Sequence, residues 1–249
     1  MTTLVARAAS VGGVERAHTG RMELEVVRSG LVPYAEAWAA QRARAEAVRD
    51  AGAAEALFVL QHPPVYTLGM RGRTASVVAS DAVIAARGAE VVQSDRGGDV
   101  TFHGPGQLVA YPVLDLHRRD LGPAAYVRLV EACAIETLAA FGVAAERVPG
   151  RPGVWVRESQ DGGALAKIAA VGVRVRRGVS THGIALNVST DLDWYDAIVP
   201  CGIADAGVTS LARVLDAAPS HAAVEAAFIA AFARMFHVEH LDVAEAGVR

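Results

Sequence analysis

Between residues 96 and 107 the chain reads Arg96-Gly97-Gly98-Asp99-Val100-Thr101-Phe102-His103-Gly104-Pro105-Gly106-Gln107, and this stretch constrains the fold more than any other. Glycine supplies backbone freedom and bare N–H groups but no packing surface, so the stretch is not core. Its interleaved Arg, Asp, Thr, His and Gln are too varied for a passive linker. An apolar run over residues 108–116 follows directly. The expectation is a loop that closes its backbone around a ligand and is anchored on a strand. A glycine-rich hairpin with no ligand is the alternative, since Gly-Pro clusters also make ordinary turns.

A chain of 249 residues, 52% hydrophobic and 20% charged, can bury one sizeable core. Residues 21–240 are expected as a single domain. Residues 1–20 lack the apolar stretch of a secretory signal and carry Glu15, so they are expected as a disordered extension. No segment has the roughly eighteen uninterrupted apolar residues of a membrane span. The net charge of −3 excludes a generally basic nucleic-acid binder. Two local basic clusters remain, Arg118-Arg119 and Arg174-Val175-Arg176-Arg177, each either a solvated face or a docking rim for an acidic partner. Two cysteines, Cys133 and Cys201, make no disulfide framework in a chain of this length, which points to a reducing cytoplasm.

Residues 24–27 read as a strand, and Pro33 opens an amphipathic helix to about Arg49. Residues 56–60 form an apolar strand running into His62-Pro63-Pro64, where the prolines enforce extended backbone. Asp81 is expected to cap a short helix over 82–87, and 90–93 returns as a strand. Residues 108–116 follow the glycine loop as a strand. Over 123–141, Tyr126, Val130, Cys133, Ala134, Leu138 and Phe141 recur at helical spacing, which places Cys133 on a buried stripe. Further strands are expected at 154–157, at 164–176 with a break, and at 181–188, with Asp161-Gly162-Gly163 as a hairpin turn. A helix over 222–236 closes the chain. Strands with occasional helices and hairpins indicate an α/β (α+β) domain with a mixed sheet.

Lys167 stands in the apolar run Ala164-Leu165-Ala166-Lys167-Ile168-Ala169-Ala170-Val171-Gly172. Strand alternation places Leu165, Ala169 and Val171 on its face, and Ala166, Ile168 and Ala170 on the other. A lysine there is either a desolvated base or a side chain whose head reaches the sheet edge. Cys201, in Pro200-Cys201-Gly202, sits on a bend that either presents its thiol to a cleft or leaves it inert. His62, His103 and His182 each adjoin Pro or Gly and could share a cleft, even a zinc site with Cys201. Their spacings match no metal motif, so no metal is expected. His103, inside the glycine loop, is the better candidate for catalysis or substrate orientation.

Four ordered motifs now converge: the glycine loop, Lys167-Ile-Ala-Ala-Val-Gly-Val-Arg174, His182-Gly-Ile-Ala-Leu-Asn-Val188 and Pro200-Cys201-Gly202. Together with His62-Pro-Pro-Val-Tyr-Thr67 and Val208-Thr-Ser-Leu211 they closely resemble the lipoyl(octanoyl) transferases, over about Glu23 to Leu215. The resemblance implies the biotin/lipoate protein ligase catalytic-domain fold, a mixed sheet with packed helices. It implies transfer of an octanoyl group from acyl carrier protein to a lysine of lipoyl domains, in E2 subunits of 2-oxoacid dehydrogenases and the glycine-cleavage H protein. No cofactor is implied. By the family's pattern Cys201 is the acyl-thioester nucleophile and Lys167 lowers its pKa. The acyl group is implied to lie among Arg96, Gly97, Gly98, Asp99, Val100, Thr101, Phe102, His103, Ala170, Val171, Gly172, Gly183, Ile184 and Ala185. Val171, Ile184 and Leu186 are expected to supply its apolar slot. Two other readings share the scaffold: an ATP-dependent lipoate-protein ligase and a non-catalytic acyl-binding homologue.

Overall fold

The computed structural model of the protein describes residues 23–158, 163–199 and 207–245. In chain order the elements are β1 (Glu23–Leu31), α1 (Tyr34–Ala51), β2 (Glu55–Gln61), β3 (Val65–Leu68), α2 (Asp81–Ala86), β4 (Glu90–Gln93), β5 (Val100–His103) and β6 (Gln107–Val113). They continue with α3 (Pro123–Ala139), β7 (Ala145–Val148), β8 (Arg151–Glu158), β9 (Ala164–Arg176), β10 (Val179–Asn187), β11 (Gly207–Val208), α4 (Leu211–Val214), α5 (His221–Met235) and β12 (His240–Glu245). Among the described residues the large sheet runs β12-β1-β2-β6-β10-β9-β8-β7, with β11 beside β9, and a small sheet runs β4-β3-β5. No described helix is long and apolar enough to cross a membrane.

Strand alternation divides the core. Leu57, Val59, Leu108, Ala110, Ile184 and Leu186 face a large cluster with α3 and α5 residues such as Tyr126, Val130, Phe228 and Phe232. Ala56, Phe58, Leu60, Val109, Tyr111 and Ala185 face the other way, with Ala37, Ala45 and Val48 of α1. A third cluster fills the small sheet, where Phe102 stacks on Trp194 with centroids 5.1 Å apart. The mixed α/β sheet expected from the pattern is the one found. So is the helix from Pro123, with Cys133 fully buried; burial pushes that thiol well above the usual cysteine range.

Several local expectations change. Ser80, not Asp81, caps α2, accepting a hydrogen bond from the Val83 N–H. Strand β9 runs unbroken through Lys167, but a β-bulge replaces the expected break: Val154 pairs with Ala169 and Trp155 with Lys167, so Ile168 is the extra residue. The bulge reverses the alternation after Lys167, and Ile168 and Ala169 both enter the α3–α5 core. Lys167 therefore does not share a face with Ala169 and Val171. The chain does not close with α5, because β12 follows and pairs in parallel with β1. Arg119 is neither solvated nor part of a rim: its side chain is 3% exposed and forms an ion pair with Glu55. Residues 1–22, Cys201 and the Asp161-Gly162 turn lie outside the described residues.

Candidate active site

The glycine loop closes on the sheet because its contacts leave no room for side chains. The Gly97 N–H donates to Val173 O at 3.0 Å, joining the loop to β9. A Cβ at Gly97 would stand 2.9 Å from that oxygen, and one at Gly172 would stand 2.8 Å from Gly97 O. Gly98 takes φ +92°, a region favourable to glycine alone. Arg96 is buried beneath the loop: its Nε donates to Thr67 Oγ1 at 2.9 Å and its Nη1 to Gly97 O at 3.0 Å. Asp99 Oδ1 accepts from the Val100 N–H at 2.8 Å and from Ser76 Oγ at 3.2 Å.

Loop and sheet enclose a cavity of about 250 Å³. One end is bordered by Lys167, Val208, Asn187 and Tyr195, and the other by Tyr34, Tyr111 and His182. Between them the floor consists of small residues, since Ala185 pairs with Ala170 and Gly183 with Gly172. The Lys167 ammonium lies 4.7 Å from the centroid of Trp155, within cation–π range. Gly153, at φ +118°, leaves space beside it, because a Cβ there would stand 3.3 Å from Lys167 Cε.

A polar chain crosses the site. His103 Nδ1 donates to Gln107 Oε1 at 2.8 Å, Gln107 Nε2 to Asn187 Oδ1 at 2.9 Å, and Asn187 Nδ2 to Thr209 O at 3.0 Å. The Thr209 N–H then donates to Lys167 O at 3.0 Å. The chain thus links the glycine loop to the backbone of Lys167 through two buried amides.

His62, His103 and His182 are drawn together, all buried. Burial holds His62 down to about 4, and holds His103 well below the usual range, with His62 and Arg96 adding to the effect. Burial likewise depresses His182, against the opposing pull of Asp95. All three are neutral at neutral pH, which fixes their tautomers: His62 Nδ1 donates to Val32 O at 2.6 Å while its Nε2 accepts from Tyr111 OH at 2.8 Å. His182 Nε2 donates to Asp95 at 2.7 Å. His182 sits at φ +56°, strained for a side-chain-bearing residue, with its N–H held by Gln41 Oε1 at 2.7 Å.

Of the residues implied to hold the acyl group, all but Phe102 border this cavity. Phe102 points into the small-sheet core instead, one step out of phase with Thr101 and His103. Leu186 does not border it; Val171 and Ile184 do, although both also pack against the α3–α5 core, and the small residues Ala170, Gly172, Gly183 and Ala185 alternate with them along the slot. Arg174 is withdrawn from the basic cluster by a 2.9 Å ion pair with Asp95, whereas Arg176 and Arg177 remain exposed. The sequence reading missed Tyr34, Tyr111 and Trp155, which carry no local signal. Gln107 and Asn187 lie inside motifs already singled out, as unmatched polar residues on apolar strands.

Residues 33–233 match the family model of the lipoyl protein ligase A/B catalytic domain. The octanoyltransferase of Chloroflexus aggregans is 48% identical over 220 residues, covering 88% of this chain and 97% of that relative. The octanoyltransferase of Myxococcus xanthus is 44% identical over 221 residues, covering 88% of this chain and 61% of its own. Among solved structures, the bipartite lipoate protein ligase of Thermoplasma acidophilum matches with TM-score 0.69 at 19% identity, covering 92% of this chain and 88% of that one. A lipoate-protein ligase A bound with ATP matches at 0.66 and 18%, covering 92% and 90%. At such identities the structural likeness establishes the fold.

Proposed function

Because this chain belongs to the lipoyl protein ligase A/B catalytic domain family, we propose that it carries an octanoyl group from acyl carrier protein to the acceptor lysine of lipoyl domains through a thioester on Cys201. Its curated relatives are octanoyltransferases, which makes it an acyltransferase acting in lipoylation. The observation that carries the reading is that Lys167 and the glycine loop border one small-residue trough.

In the first step the Cys201 thiol loses its proton, and the thiolate attacks the octanoyl thioester of the carrier. The carbonyl π pair moves to oxygen, and backbone N–H groups bordering the trough stabilise that oxyanion. Collapse breaks the old C–S bond, and the carrier's thiolate leaves and takes up a proton. One thioester replaces another, so the step needs no ATP. In the second step the neutral amine of the acceptor lysine attacks the enzyme thioester, an amide forms, and the Cys201 thiolate is released. Lys167 serves both steps. As a neutral amine it takes the Cys201 proton, and the ammonium so formed favours the neighbouring thiolate and then gives that proton to the departing carrier thiolate. The regenerated amine takes the proton of the incoming lysine. Support for its proximity to Cys201 comes from the return of the described chain at Gly207, with Val208 paired directly to Lys167.

An acidic carrier suits exposed Arg176 and Arg177 as part of its docking rim, and a nucleophilic thiol suits a reducing cytoplasm. The test is intact-protein mass spectrometry after mixing the chain with octanoyl carrier protein without ATP, beside Cys201→Ala. The expected result is an octanoyl adduct on the wild type alone, chased onto a lipoyl domain. Acylation of that domain only with ATP and free octanoate would make the chain a ligase. Absence of both reactions would leave a non-catalytic acyl-binding protein.

A further inference from the structure

The trough is closed at the end away from Lys167, and the closure is built on register. Ala185 pairs with Val109 on β6 and with Ala170 on β9, so one row across the sheet reads Val109–Ala185–Ala170. Two residues further along β10, Gly183 pairs with Gly172, and the β6 register carried one step past the Ala110–Ile184 pair sets Tyr111 against Gly183. At a rise of about 3.3 Å per residue, the Asn187 row lies about 13 Å from the Gly183 row. An extended eight-carbon acyl chain with its carbonyl near Lys167 fits within that span and ends near Tyr111.

The wall at this end does not yield. Tyr111 is 4% exposed, with its hydroxyl held by His62, which is itself 0% exposed and anchored to Val32 O. Tyr34 is held by Ser94 Oγ at 2.7 Å and stacks on His103 with centroids 6.0 Å apart. The Tyr34 and Tyr111 hydroxyls and both His62 nitrogens are occupied by hydrogen bonds, so the two tyrosines offer carbon to a ligand, while His182 Nδ1 beside them has no hydrogen-bond partner. We propose that Tyr111, set against Gly183, is the residue that limits the length of the transferred acyl chain, with Ala170 and Ala185 setting the depth of the trough. This rests on the acyl-transfer reading and adds to it the determinant of chain length.

The test uses the full chain with a lipoyl-domain acceptor and an equal mixture of hexanoyl, octanoyl, decanoyl and dodecanoyl carrier proteins, with the products weighed by mass spectrometry. Tyr111→Leu lowers the wall and is expected to raise transfer of the longer acyl groups relative to octanoyl, roughly fourfold for each methylene newly buried. Ala185→Val raises the floor and is expected to shift the profile toward hexanoyl. This second variant adds bulk rather than removing it, so it keeps the proposal falsifiable if Tyr111→Leu fails to fold. A length profile in folded variants identical to wild type overturns the gauge and leaves the transferase reading standing. A wild type that transfers none of the four groups overturns the transferase reading and the gauge with it.

Discussion

Lys167 and Trp155 are antiparallel partners across β8 and β9, and the lysine ammonium rests 4.7 Å from the indole centroid. The bulge at Ile168 aims Lys167 at the trough, and the Trp155 ring, 1% exposed, steadies its head. A cation–π contact of this kind contributes about 0.5–2 kcal/mol. Trp155→Leu should therefore slow the acylation of Cys201 roughly 2- to 30-fold in single-turnover kinetics. Trp155→Phe, which keeps an aromatic face, should recover part of that rate at a similar melting temperature. Equal rates in the two variants would remove the ring from any role in placing Lys167.

Gly172 and Gly97 are close neighbours only because both lack a side chain. Gly172→Ala puts a Cβ 2.8 Å from Gly97 O and must push the glycine loop off β9. Overpacking costs about 1–3 kcal/mol, so KM for octanoyl carrier should rise roughly 5- to 150-fold. Gly30→Ala, with nothing within 4 Å of the added Cβ, should leave KM alone. Titrating initial rates against carrier concentration separates these outcomes.

His62 makes stability depend on acid. Its folded value of about 4 lies below the ordinary 6.5, so between those values the unfolded chain binds the extra proton. Stability from this group is present above pH 6.5 and is lost as pH falls toward 4, by about 3 kcal/mol in all. His62→Gln removes the titration, and urea midpoints measured from pH 7 to pH 4 should then fall less steeply than in wild type. Parallel slopes would assign the acid sensitivity elsewhere.

The Arg119–Glu55 pair ties the turn after β6 to the start of β2, and Arg119 Nη1 also donates to Phe236 O at 2.8 Å. Arg119→Met leaves Glu55 buried and unpaired, which should cost about 3–5 kcal/mol of stability. Arg118, 52% exposed and bridged to Asp115, should tolerate the same substitution with little change. Chemical denaturation of the two variants tests the contrast.

Long periodic segments could be read because their patterning is local. Helix α3 follows from Pro123 and the stripe through Cys133, and the glycine loop from its composition. Strand β12 was missed although Leu241 and Val243 alternate with polar residues, because six residues after a long helix give a weak signal. The buried Arg119 shows a different limit: two adjacent arginines look alike until the partner, Glu55, arrives from another strand.

By itself the sequence determined the family, the mixed-sheet class and the polar and glycine residues that border the trough, since these depend on residue type and short spacing. The tertiary structure decided which way Lys167 faces, because a bulge is a property of strand pairing and one inserted residue reverses every side chain beyond it. It also decided what closes the trough. Tyr34, Ser94, Tyr111 and His182 come from elements far apart in the chain and become one wall only when α1 packs across the sheet. Contacts of that kind depend on burial and register among distant segments, and no local pattern encodes them.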